Sequence, residues 1–239
     1  LLAGSAARWR ILTITKKERE KRAVLERMNQ LEHQAISALM NPHFIFNALG
    51  SIQHYMFEHG PEKANDYLAR FAKLIRKNMK ISTTGLISLE KELERLELYL
   101  SLEHLRFEDR LNYAFHIDDK VNPSEVLIPS MIIQPYVENA LWHGLMPKKE
   151  GGALSVTIFR KHMDRLFISI EDNGIGIETA KKKGIEDHES RGMKITKERL
   201  MYLAHQYGSE AHIEITELKD ESGKSLGTRV RLDIPYLSA

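Results

Sequence analysis

Four stretches of the chain carry residues whose types and spacing suit chemistry. The first is Asn41-Pro42-His43-Phe44-Ile45-Phe46-Asn47, set inside a long helical pattern. Proline in a helix interior removes a backbone hydrogen bond, clashes with the carbonyl four residues back and costs ~3 kcal/mol. The loosened turn presents the adjacent imidazole, and a presented histidine with a pKa near ~6.5 serves as nucleophile, base or ligand. The same residues also fit a kinked core helix with a surface histidine. The second stretch is Gln134-Pro135-Tyr136-Val137-Glu138-Asn139-Ala140-Leu141-Trp142-His143-Gly144. Asn139 and His143, four apart, share one helical face. An amide oxygen beside a basic ring suits a Mg²⁺-triphosphate, with Asn139 as hard-oxygen ligand and His143 as donor to phosphate. A plain helix C-terminus with His143 in the last turn and Gly144 as cap fits as well.

The third stretch is Ile170-Glu171-Asp172-Asn173-Gly174-Ile175-Gly176, at the end of an expected strand. An acid followed by Asn-Gly-x-Gly offers one fixed carboxylate and a backbone that a ligand can approach closely. A carboxylate accepts a hydrogen bond from an exocyclic amine, which distinguishes adenine from guanine. A tight turn that merely needs glycines is the plainer alternative. Ser190-Arg191-Gly192-Met193-Lys194 then enters a helix, where backbone N–H groups can face phosphate oxygens. The polar run before it is either a lid over a nucleotide or an ordinary loop.

The elements that must position these residues follow from periodicity. Val24, Met28, Leu31, Ala35, Ala38, Pro42, Ile45, Leu49, Ile52 and Met56 alternate by four and three, a heptad seam. His43 lies one residue off it, at the rim of a bundle. Gly60-Pro61 turns the chain, and Leu68, Phe71, Ile75 and Met79 supply the apolar face of a second helix ending near Lys80. Ser88 caps a third helix carrying Leu89, Leu93, Leu96, Leu100 and Phe107, with Glu90, Lys91, Glu92, Glu94, Arg95 and Glu97 expected on a solvated face. After Asp109 the period changes to two: Leu111, Tyr113, Phe115 and Ile117 alternate with polar residues. Pro129 is expected to open a helix through about Gly144. Two strands, 154–158 and 166–170, a helix from about Met193 to Tyr207, and two closing strands, 211–218 and 228–236, complete the chain. The fold class is α+β, a helical N-terminal half and an α+β C-terminal half divided near residue 109.

The totals exclude several function classes. A chain of 239 residues with 42% hydrophobic and 28% charged content is an ordinary folded protein of one large or two small domains. A net charge of +2 makes no case for nucleic acid or for coating a membrane, and the absence of cysteine removes disulfides, thiolate zinc and cysteine catalysis. Residues 1–7, followed by Arg8, Arg10, Lys16 and Lys17, read either as the end of a membrane helix with a basic flank or as a leader. Apart from His43 and His143, nine histidines show no metal-ligand spacing.

The order of these motifs is specific. An asparagine helix, the Asp172-Asn173-Gly174-x-Gly176 turn, a glycine-led helix and Gly227-Thr228 before a last strand resemble the nucleotide boxes of the GHKL ATPase superfamily. Leu39 to Leu49 resembles the phosphoacceptor box of LytS/YesM-type sensor histidine kinases, and Tyr99 to Phe107 their third-helix signature. The resemblance spans roughly Glu32 to Tyr236. It implies a stub and coiled-coil linker at 1–34, a helical dimerisation and histidine-phosphotransfer region at 35–108, and a GHKL-type α/β sandwich that binds ATP at 109–239. It implies that His43 takes the γ-phosphoryl group of ATP and passes it to an aspartate of a response-regulator receiver domain, of the LytTR type by the same resemblance. Asn139 would bind Mg²⁺, Asp172 the adenine amine, and Thr228 would help seat the base. His143, Gly174, Gly176, Arg191 and Gly192 would complete the ATP site. Asn47, one turn after His43, would serve a phosphatase step or repair backbone hydrogen bonds near Pro42. The protein would be a homodimer, the cytoplasmic portion of an inner-membrane sensor, attached to membrane only through a segment upstream.

The chain departs from the family pattern at Phe44, where an acid is common, leaving Glu138 or Glu103 as candidate base. It departs again at Pro135, four residues before Asn139, and at Ser190, Met193 and Ile195 of the third glycine box. A GHKL ATPase of the chaperone or topoisomerase sort, or a degenerate kinase acting as a scaffold, are the alternatives.

Overall fold

The computed structural model describes residues 42–79, 86–107, 110–148, 150–162, 164–182, 191–206 and 209–238. Helix α1 is described over Pro42–His59 and α2 over Pro61–Met79. Between them stands Gly60 with φ +82°, a left-handed turn that glycine enters without strain. Ala48 and Tyr55 of α1 pack against Ala64, Tyr67 and Leu74 of α2, with the Tyr55 and Tyr67 rings stacked 5.8 Å apart. The buried stripe of α2 thus runs one residue ahead of the expected Leu68–Ile75 face, and Leu68 is left 45% exposed. The heptad positions before Pro42, and with them the expected kink, lie outside the described residues.

Two sheets form the rest. Strand β1 (Leu86–Ser88) leads directly into α3 (Leu89–Arg106), whose Ser88 cap accepts the Lys91 N–H at 3.3 Å. β1 pairs with β3 (Val126–Pro129), which pairs with β8 (Leu237–Ser238), giving a three-stranded antiparallel sheet. Pro129 therefore closes a strand; the expected helix starts later, as α4 (Gln134–Asn139), and continues as a π-helical turn over Ala140–Leu145. Segments of three, four and two residues show no period of their own, so this sheet is set by pairing across the fold.

The larger sheet has the order β2 (Leu111–Ile117), β4 (Gly152–His162), β5 (Arg165–Asp172), β7 (Ser225–Pro235), β6 (His212–Lys219). β2 and β4 are parallel and all other pairs antiparallel. A parallel pair needs a long crossover, and that crossover contains β3, α4 and the π turn. One face alternates Leu154, Val156, Ile158; Leu166, Ile168, Ile170; and Val230, Leu232, Ile234, all buried. Each such side chain contributes roughly 1.5–3 kcal/mol. Helix α5 (Ile177–Lys182) stands in the polar run expected as loop, and α6 (Arg191–Gln206) packs its Met193, Ile195, Leu200 and Leu203 inward. Strand β1 and helix α3, both ahead of residue 109, pair and pack with elements beyond it.

Candidate functional site

The asparagine helix is held in place at its start. The chain reverses after β3 through Met131, buried and at φ +61°, a conformation an L residue enters only under strain. Helix α4 has no side-chain cap of its own. The Glu92 carboxylate of α3 supplies one, accepting the N–H groups of Met131 at 3.0 Å and Ile133 at 3.5 Å. A negative charge at a helix N-terminus is favoured by the dipole. Glu92 also takes a charge-assisted bond from Arg95 at 2.6 Å; Arg95 donates to the Gln134 amide oxygen, and Gln134 donates to Glu138 at 2.7 Å. From the other side, Arg199 of α6 donates to the Ser130 carbonyl at 2.9 Å. Glu92 and Arg95, expected on a solvated face, are 0% and 3% exposed. Local composition is blind to this, because the groups that bury them lie about forty residues away.

Asn139 ends α4 and His143 sits in the π turn, closed by Met146 N–H to the Leu141 carbonyl at 2.8 Å. Both side chains are half-buried. Gly144, expected as a helix cap, lies instead within the π turn with a different reason to be glycine. A Cβ there would stand 2.8 Å from Oδ1 of Asp172. The Ile175 N–H donates to the Gly144 carbonyl at 3.0 Å, fastening the third stretch to the second.

Asp172 ends β5 and is buried. Its carboxyl accepts the Gly174 N–H at 2.8 Å and the backbone N–H of Thr228, its register partner on β7. Gly174 faces the Gly144 carbonyl, and Gly227, at φ +132°, faces the Asp172 backbone; a Cβ at either would collide. Asn173 closes the corner by exchanging two hydrogen bonds with Ala153, at 2.8 and 3.1 Å. A carboxylate has about four acceptor sites, so two backbone donors leave capacity for an incoming amine.

Burial sets the electrostatics. It raises Asp172 from its ordinary 3.8 to about 6, opposed by its N–H donors and by Lys148. Burial lowers His143 below its ordinary value, so the ring is neutral at pH 7 with one N–H to donate. Burial also raises Glu138, opposed by Gln134 and Arg95. Among the described residues no cluster of three His, Asp or Glu side chains offers a ready metal cage. The donor set would suit a Mg²⁺ that brings its own oxygen ligands on a polyphosphate, for which Asn139 could supply a single amide oxygen.

The structure therefore brings Asp172, Gly174 and Thr228 together against Gly144 of the π turn, with Asn139 immediately before that turn and His143 within it. Gly176, at φ +76°, follows Asp172 on the turn into α5, its Cα against Ser225 and Glu217. Gly192 lies in the first turn of α6; the Arg191 side chain and residues 183–190 lie outside the described residues. His43 and Asn47 lie on the opening turns of α1, and their side chains are likewise outside the described residues. The sequence does not single out Glu92, Arg95 and Arg199 as determinants of the site, and it gives Gly144 only a capping role. A signal for Glu92 and Arg95 existed: with Tyr99, Glu103 and Arg106 they recur at spacings of three and four, one stripe along α3.

Residues 31–111 match the family model described as histidine kinase. The sensor histidine kinase YpdA of Escherichia coli strain K12 is 33% identical over 196 residues, 80% of this chain and 33% of that protein. The sensor histidine kinase/phosphatase LytS of Staphylococcus aureus strain Mu50 is 33% identical over 150 residues, 63% of this chain and 25% of that protein. The solved histidine kinase domain of the blue-light activated histidine kinase EL346 from Erythrobacter litoralis is 14% identical with a TM-score of 0.46, covering 89% of this chain and 92% of that one. The chain spans a third or less of the length of these two curated relatives. With its phosphoacceptor-box sequence, asparagine helix and Asp-Asn-Gly-x-Gly turn in family order, the chain belongs to the sensor histidine kinases of the LytS/YpdA type.

Proposed function

We propose that this chain is the kinase core of a two-component sensor: it binds Mg·ATP between the π turn and Asp172, phosphorylates His43, and donates the phosphoryl group to an aspartate of a response regulator. The observation that carries the reading is Asp172, a buried carboxyl with spare acceptor capacity, walled by glycines and seated against the π turn that follows Asn139. In the transfer an imidazole nitrogen of His43 attacks the γ-phosphorus; the N–P bond forms as the P–O bond to ADP breaks. Phosphoryl transfer asks mainly for positioning and charge stabilisation. Asn139 would hold Mg²⁺, which neutralises phosphate charge, while His143 donates to phosphate, Thr228 helps seat the base, and Gly176, Arg191 and Gly192 complete the lid side. Glu103 is 1% exposed and faces Arg106, which leaves Glu138 as the base that takes the imidazole proton; its burial makes it a stronger base than an ordinary carboxylate.

The domain division at 1–34, 35–108 and 109–239 is part of this proposal, with α3 lying just before the last boundary and bonded to residues beyond it. So is the homodimer. On α1, the heptad positions Leu49 and Met56 are 49% and 54% exposed, and Phe57 is 89% exposed, an apolar face suited to a second copy. Among the described residues no helix is long and apolar enough to cross a membrane; attachment through an upstream segment, with the kinase core in the cytoplasm, belongs to the proposal too. Asn47 would orient water to hydrolyse the phospho-regulator, in keeping with the name of the Staphylococcus aureus relative. Asn47→Ala should then spare autophosphorylation and slow regulator dephosphorylation, and equal loss of both rejects that role.

Incubation with [γ-³²P]ATP and Mg²⁺ tests the main reading. Acid-labile, alkali-stable label is expected on the wild type and absent from His43→Gln, Asn139→Ala and Asp172→Ala. Label that persists in His43→Gln, or a wild type that binds no nucleotide, overturns it.

A further inference from the structure

The polar stripe of α3 continues past the Glu92 clamp to a second contact with the nucleotide-facing helix. At the far end of α3 the Arg106 guanidinium lies over the Trp142 ring, 4.2 Å from its centroid. The same guanidinium lies 3.6 Å from the buried carboxylate of Glu103 one turn earlier. The Trp142 indole lies near the buried side chain of Tyr99, two turns before Arg106 on the same face. The Tyr55 hydroxyl of α1 donates to the Leu105 carbonyl at 2.7 Å, so the terminus of α3 is braced by the helical hairpin. Trp142 is flanked by Leu141, fully buried, and by His143, and lies within the π turn that follows Asn139.

A π turn widens the helix by one residue and gives up regular hydrogen bonds. It needs support from outside, and here that support is one aromatic ring covered on its face by the Arg106 guanidinium of α3. We propose that Arg106 is a positioning residue for the nucleotide site: stacked on Trp142 and anchored by Glu103, it fixes the π turn so that Asn139 and His143 meet the polyphosphate. The inference rests on the ATP-site reading above. It assigns Arg106 no contact with nucleotide.

A planar guanidinium covers a ring face in a way an ammonium cannot, so Arg106→Lys keeps the charge toward Glu103 and loses the stack. Trp142→Phe shrinks the ring face that Arg106 covers. The test measures AMP-PNP affinity by calorimetry on the 239-residue chain, together with KM and kcat of His43 labelling and the melting temperature. Each variant is expected to raise the Kd and the KM for ATP by about threefold to tenfold, with kcat and melting temperature little changed. The double variant should lose less than the product of the two, because both act on one ring. Tyr113→Phe, which removes an exposed bond to Glu97 on the outer side of α3, serves as control and should leave Kd unchanged. Unchanged Kd and KM in Arg106→Lys and Trp142→Phe, or losses that track lowered melting temperature and recur in Tyr113→Phe, overturn the inference while the ATP site stands. A wild type that binds no AMP-PNP overturns both.

Discussion

The carboxyl of Asp172 rests on the bare Cα of Gly144: a Cβ there would stand 2.8 Å from Oδ1 and 3.1 Å from Cγ. Two motifs about thirty residues apart are thereby one object, since the acid can occupy its corner only if the π turn leaves room. Gly144→Ala should push the carboxyl off its Gly174 and Thr228 donors. Nucleotide affinity should fall at least tenfold, read by calorimetry with AMP-PNP. An alanine variant that binds as tightly as wild type would show that the corner has slack.

Acidity should act on the same carboxyl. Burial places Asp172 at about 6, and only the ionised form accepts from an amine without competing for a proton. AMP-PNP affinity should therefore fall by about tenfold between pH 7.5 and 5, and Asp172→Asn should bind weakly with a flat profile through that range. For the free protein the sign is opposite. A carboxyl raised from 3.8 to about 6 contributes stability that is complete below the unfolded value and is lost as pH rises through about 6. A wild-type affinity with no inflection near pH 6 rejects Asp172 as the amine acceptor.

Glu92 carries a structural load larger than its sequence context shows. Removing it leaves the buried Arg95 without its carboxylate and the Met131 and Ile133 N–H groups without an acceptor. Glu92→Ala should cost about 3–5 kcal/mol, a fall of about 10 °C in a thermal melt. Glu92→Gln, which keeps an acceptor, should cost less. A melt shifted by under about 2 °C in Glu92→Ala would mean the clamp is dispensable.

The face of α1 should be needed for assembly and not for nucleotide. Leu49→Asp with Met56→Asp places two charges on the uncovered seam. Light scattering should then report the 27.6 kDa monomer in place of a dimer, with AMP-PNP affinity unchanged. A dimer that survives both charges puts the interface elsewhere.

What the sequence by itself determined is what depends on near neighbours. Gly60 at a left-handed turn, Ser88 as a cap, the alternation of 154–158 and 166–170, and Asp172 with its glycines at a strand end all follow from residues within one turn or one strand of each other. The ordered motifs carried the family for the same reason. Tertiary structure decided the rest, through groups far apart in the chain. Leu86–Ser88, Val126–Pro129 and Leu237–Ser238 are strands only because they meet, so Pro129 ends a strand where its local context reads as a helix start. Glu92 and Arg95 have the composition of a solvated face and are buried because Met131, Ile133 and Gln134 bring donors and acceptors to them. Gly144 is glycine because a carboxyl from another strand occupies the space of its side chain, and nothing within helical reach of it says so.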